Sequence, residues 1–98
     1  MTRRAAVEAA LRRLAPRLPR HEFEAVTEHA LDSAGLRTAA PDTAAWLSLV
    51  AYARHVFTEY DALLADGYDP DSARHFVLDA LNRALDGWGV SRRVGEGD

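Results

Sequence analysis

The 98-residue chain contains no cysteine, no lysine, no isoleucine and no glutamine. Without cysteine there is no disulfide framework, no thiolate zinc site and no cysteine nucleophile. Alternation of period two in Val, Ile and Thr is also missing, so no strand is expected. No stretch reaches the roughly 18 unbroken apolar residues of a membrane span, and no membrane partner is expected. The arginine-rich, acid-poor start has the look of a targeting segment. Glu8, Arg12 and Arg13 interrupt any apolar signal core, and the expected location is the cytoplasm. None of Ser33, Ser48, Ser72 and Ser91 lies in a Gly-x-Ser-x-Gly elbow, and no glycine loop is built to cradle a phosphate. Nothing in the motifs favours an enzyme, and none calls for a cofactor.

What is present is helical. Nineteen alanines, 48% apolar residues and 28% charged residues describe a folded chain. At this length one domain over residues 1–98 is expected, burying roughly 60 to 70% of its unfolded surface. All twelve cations are arginine. Arginine's planar fork suits phosphate and carboxylate, but the alanine-heavy remainder points instead to the codon usage of a GC-rich genome. The formal charge of −3 is unevenly spread: residues 1–20 carry +5 and the remainder −8.

Pro- and Gly-marked breaks divide the chain into four predicted helices, about 3–15, 20–34, 41–66 and 70–87, with a tail over 89–98 expected to fray. The first presents Val7, Ala10, Leu11 and Leu14 on one face; the second presents Phe23, Val26, Ala30 and Leu31, with Gly35 as its left-handed C-terminal residue. Pro41 opens the third, whose core face joins Trp46, Leu49, Val50, Ala53, Val56, Phe57, Tyr60 and Leu64. Its rear is small (Ala44, Ser48, Ala51, then His55 and Ala62), open to a further helix or a second subunit. Asp69 and Pro70 start the fourth, which turns Ala73, Val77, Ala80, Leu81, Ala84 and Trp88 inward. The expected fold is a compact all-α four-helix domain whose third and fourth helices form a central antiparallel hairpin.

The densest polar cluster is Arg54-His55-Val56-Phe57-Thr58-Glu59-Tyr60-Asp61. Arg54, Thr58 and Asp61 share a stripe at helical spacing. Reflecting the hairpin about Gly67–Tyr68 brings Asp61 level with Arg74, which predicts an Asp61–Arg74 ion pair clamping the two helices. His55 with Glu59, and His75 with Asp79, have the i, i+4 spacing of a metal pair, although the same spacing is common in ordinary surface contacts. Arg3, Arg4, Arg12, Arg13, Arg17 and Arg20, with Arg92 and Arg93, could hold phosphates without reading bases; alternatively they dock on the chain's own acidic faces.

From Trp46 onward the chain reads Arg54-His55-x-x-Thr58-x-Tyr60-Asp61-x-Leu63-Leu64, then Gly67, Ala73-Arg74, Val77 and Trp88. In this pattern it resembles the domain of unknown function 2293 family, known from bacteria and fungi, and Leu18-Pro19 upstream is consistent with it. The resemblance implies no activity. It draws attention to Arg54, His55, Thr58, Tyr60, Asp61 and Arg74. The functional expectation is a small cytoplasmic interaction module, binding another protein or itself as a homodimer through the third helix's rear and the Arg54–Asp61 edge. The alternative is a phosphate- or nucleic-acid-binding accessory using the N-terminal arginines.

Overall fold

The computed structural model describes residues 1–96. Among them are five α-helices, a 3-10 turn and no strand: α1 (Arg3–Leu14), α2 (Arg20–Asp32), the turn Ala34–Leu36, α3 (Pro41–Phe57), α4 (Tyr60–Ala65) and α5 (Pro70–Gly87). Helix starts follow the local chemistry. The Thr2 hydroxyl accepts from the Ala5 amide at 3.0 Å. Asp69 accepts from the Ser72 amide at 2.9 Å and from its hydroxyl at 3.0 Å, with Pro70 at the first helical position.

Two helices end in the same way. Gly67 (φ 97°) follows α4, where the Tyr68 amide donates back to the Leu63 carbonyl and the Gly67 amide to that of Leu64. Gly89 (φ 82°) follows α5, with Val90 donating to Leu85 and Gly89 to Asp86. Both are Schellman motifs, and the left-handed residue is glycine because a Cβ would be strained there. The sequence reading of Gly35 needs correction. Among the described residues positive φ values fall only on Gly67 and Gly89, and α2 passes into the 3-10 turn, from which Leu36 still packs on the core.

The central helix is α3, which packs on α1, α2 and α5. Its fully buried Ala44, Ala45, Leu49 and Ala53 meet Val7 and Leu11 of α1, Val26 and Ala30 of α2, and Leu81 and Leu85 of α5 in one apolar cluster. Alanine at these positions lets helices approach closely, so a modest chain closes a core with few large side chains. A second, smaller cluster joins Tyr60 of α4 to Ala73 and Val77 of α5, with Leu63 and Leu64 against it.

Two further expectations are overturned. The helix expected over 41–66 is broken at Thr58–Glu59, so there are five helices rather than four. At the first half of α3's small rear a further helix, α2, packs: Ala44 and Ser48 are fully buried, and Ser48 Oγ lies 3.0 Å from His29 Nδ1 of α2. The tail is docked, not frayed. Val90 and Val94 are buried, Asn82 Nδ2 donates to the Val94 carbonyl at 3.0 Å, and the Val94 amide donates to Asn82 Oδ1 at 2.9 Å. Arg92 lies over the Trp46 ring at 4.1 Å, adding a cation–π contact. Residues 97 and 98 of the expected tail lie outside the described residues.

Candidate functional site: the helix break and its two recesses

Thr58 makes the break. Its backbone is extended (φ −136°, ψ 173°), its hydroxyl donates to the Arg54 carbonyl, and the same oxygen accepts from the Tyr60 amide at 3.2 Å. One side chain thus closes α3 and opens α4, the competition with backbone pairing that Thr brings to a helix. The corner redirects every group beyond it. Asp61 meets His55 rather than Arg74, with Oδ1 and Nδ1 2.6 Å apart and both side chains half-exposed. On a straight helix these two, six residues apart, would point in different directions. Arg74 instead pairs with Asp71, one turn earlier on α5. The predicted Asp61–Arg74 clamp is therefore absent, and what ties α4 to α5 is the apolar contact of Tyr60 with Ala73 and Val77.

Tyr60 stands between two members of the cluster. The Arg54 guanidinium carbon is 5.8 Å from its ring centroid, and the His55 ring meets it edge-on at 5.2 Å. Arg54 then continues into a small recess of about 210 Å³, where it meets Arg74, Asp71, His75, Leu78 and the tail residues Val94 to Glu96. Arg54 and Arg74, separated by twenty positions in sequence, are the pair brought together. Burial lowers the Arg54 pKa below the usual arginine value, the neighbouring Tyr60 opposes this, and the positive charge of Arg74 reinforces it. Arg54 Nε is buried without a hydrogen-bond partner.

On the other side of the break lies a wider, open groove of about 670 Å³ between the end of α3 and α5. Val56, Phe57, Thr58 and Glu59 line one side; Phe76, Val77, Asp79, Ala80 and Arg83 line the other. Val56 and Phe57, expected in the core, are 57% and 46% exposed, and Phe76 is 63% exposed. The two phenylalanines each have an aromatic neighbour. Phe57 meets buried Trp88 edge-on at 5.2 Å, and Phe76 meets Tyr68 edge-on at 5.5 Å. Such contacts hold an aromatic in place while leaving its outer face in water. Phe76 escaped the sequence reading. Its only signal was an aromatic lying off the Ala73/Val77/Leu81 stripe.

The weak metal candidates are dispersed. His55 is engaged by Asp61 and His75 by Glu96, while Glu59 and Asp79 line the groove. Among the described residues no three His, Asp or Glu side chains converge as a metal site. Each N-terminal arginine has its own contact within the fold. Arg3 donates to the Leu36 carbonyl at 2.7 Å, Arg4 pairs with Glu28 at 2.6 Å, and Arg13 pairs with Asp42 at 2.8 Å. Arg12 lies over Phe23, Arg17 donates to the Asp86 carbonyl at 3.1 Å, and Arg20 pairs with Glu24 at 3.1 Å. Arg92 shares a recess with Arg13, and Arg93 reaches the Asp86 carboxylate at 3.5 Å. The basic end thus docks on the acidic body. Among the described residues no helix is long and apolar enough to cross a membrane.

These features define a small all-α protein in which one broken helix displays an arginine recess on one side and an aromatic-lined groove on the other. A family model described as an uncharacterized conserved protein (DUF2293) matches residues 10–89 of the 98, and the chain belongs to that family. The match begins well before Trp46 and so takes in α2 and the end of α1 as well as the break. No curated protein and no solved structure matches the chain.

Proposed function

We propose that the chain is a small cytoplasmic protein-interaction module that seats an amphipathic helical segment of another protein in the groove beside the helix break. In this reading α3 and α4 run back along α5 as an antiparallel hairpin, and the groove lies along its outer side. One observation carries the reading: Val56, Phe57 and Phe76, three bulky apolar side chains, stay in water around a single depression. A contiguous exposed apolar patch on a small domain marks an interaction site, and two anchored aromatics supply the kind of contact that dominates binding energy. Glu59 and Asp79 outnumber Arg83 on the groove walls. Charge complementarity therefore favours a partner segment with apolar residues at i and i+4 and basic residues beside them.

The test is selection from a library of amphipathic helical peptides, followed by NMR mapping and solution mass measurement. Peptides of the stated pattern should shift the Val56, Phe57 and Ala80 amides. Their binding should disappear in Phe76→Asp, a change at an exposed site that leaves the core intact. If no selected peptide depends on Phe76, the reading fails. A mass that doubles with concentration and returns to monomer in Phe76→Asp replaces the partner segment with a second copy of the chain.

A further inference from the structure

We propose that the recess between Arg54 and Arg74 is a binding site for a phosphate group. The recess is separate from the groove, and Arg54 is its central residue. Among the described residues no carboxylate pairs with its guanidinium, and its Nε is buried without a partner. Placing a cation there without a carboxylate of its own costs free energy that the Tyr60 ring offsets only in part, and the nearby Arg74 charge adds to that cost. A fold does not gain stability from two arginines arranged in this way; an anion arriving between them does. The recess is partly enclosed, so the attraction is less screened than on an open surface.

The donors favour a phosphate over a carboxylate. Arg54 comes from α3, Arg74 and His75 from α5, and they face the recess from different sides. Two forked guanidinia and an imidazole approaching from different sides suit the acceptor oxygens of a tetrahedral oxyanion, which point in several directions, better than the two coplanar oxygens of a carboxylate. The acidic groups lining the recess, Asp71 and Glu96, are both largely exposed at the side chain and are engaged with Arg74 and His75 respectively. Each can turn out to solvent as the phosphate takes its place. Glu96 then acts as a weak internal competitor carried by the docked tail.

The experiment is an NMR titration of the full chain with inorganic phosphate at constant ionic strength, read at arginine Nε–Hε signals and backbone amides. Saturable shifts are expected at Arg54 Nε–Hε, Arg74 and His75. Arg54→Gln and Arg74→Gln should each weaken binding by roughly tenfold or more, the loss of a charge-assisted contact. Arg37→Gln, exposed and outside both depressions, should bind as the parent does, and Glu96→Gln should bind more tightly. Arg74 is half-exposed, so its variant keeps the test decisive if Arg54→Gln does not fold. Methyl phosphate in a parallel arm identifies the source: binding at least as tight as that of the free ion points to a phosphomonoester. The proposal is overturned if no saturable shift occurs at these residues with either phosphate, if Arg74→Gln binds unchanged, or if acetate binds equally well.

Discussion

Asn82 is the only asparagine in the chain, and it is 4% exposed. Its amide both donates to and accepts from the Val94 backbone, which imitates one rung of a β-ladder between a helix and an extended tail. Replacing it with alanine removes two hydrogen bonds and leaves the Val94 N–H and C=O, at a residue 4% exposed, without partners. Each lost bond costs about 0.5 to 1.5 kcal/mol, and each buried orphan group about 1 to 3 kcal/mol if the tail stays in place. The tail limits the total, because it can undock and return those groups to water. Undocking gives up the burial of Val90 and Val94, about 1.5 kcal/mol or more apiece, and recovers chain entropy. The expected loss is therefore about 2 to 3 kcal/mol, a fall in melting temperature of order 10 °C for a domain of this size. Hydrogen exchange locates it: the Val94 amide should lose protection while Leu49 and Ala30 keep theirs. In a chain ending at Gly89, Asn82→Ala should cost much less than in the full chain. A full-length Asn82→Ala protein melting within about 2 °C of the parent, with Val94 still protected, would refute the reasoning.

Three further outcomes are expected. Gly89→Ala forces a side chain into φ 82° and places its Cβ 3.0 Å from Pro16 Cγ, so chemical denaturation should show a loss of more than about 1 kcal/mol. Thr58→Ala removes the hydroxyl shared by the Arg54 carbonyl and the Tyr60 amide, and should cost about 1 kcal/mol by the same measurement, with Thr58→Ser close to the parent. The Ser72 amide and hydroxyl hold the Asp69 carboxyl below the ordinary aspartate pKa. Its contribution is complete above that ordinary value and is lost as pH falls through the lower folded one. Melting curves below about pH 4 should therefore drop less steeply for Asp69→Asn than for the parent.

Helix existence was legible because its signals are local. Pro41, Asp69-Pro70 and Gly67 each act on the backbone of their own turn, and the apolar spacing of α1, α2 and α5 places their buried faces. The break at Thr58 was not legible. The apolar period runs through 42–66 without a Gly or Pro, and a threonine at that position can equally point its hydroxyl outward. From that one corner follow the errors nearby: Val56 and Phe57 leave the core, and Asp61 turns to His55. The docked tail was hidden for another reason. Val90 and Val94 are two apolar residues in a polar stretch, and their burial depends on Asn82, a contact between residues that no periodicity relates. The meeting of Arg54 with Arg74 was not read: reflecting the hairpin set Asp61 level with Arg74, and the resemblance drew attention to both arginines without placing them together.

The two apolar clusters meet across the break at Thr58, and this gives the molecule two cooperative units of unequal size. Tyr60, Ala73 and Val77, with Leu63 and Leu64, hold α4 against the first turns of α5, while the large core holds everything else. The smaller unit has the lower opening free energy, so α4 should exchange its amides through local openings that leave the rest of the protein folded. Both depressions straddle the seam. The groove reaches from Phe57, set on Trp88 of the large core, to Val77 of the small one, and the recess from Val94 to Arg74. Whatever occupies either of them therefore fastens the two units together. Its binding energy would be read as slowed exchange throughout α4, a helix that lines neither depression itself.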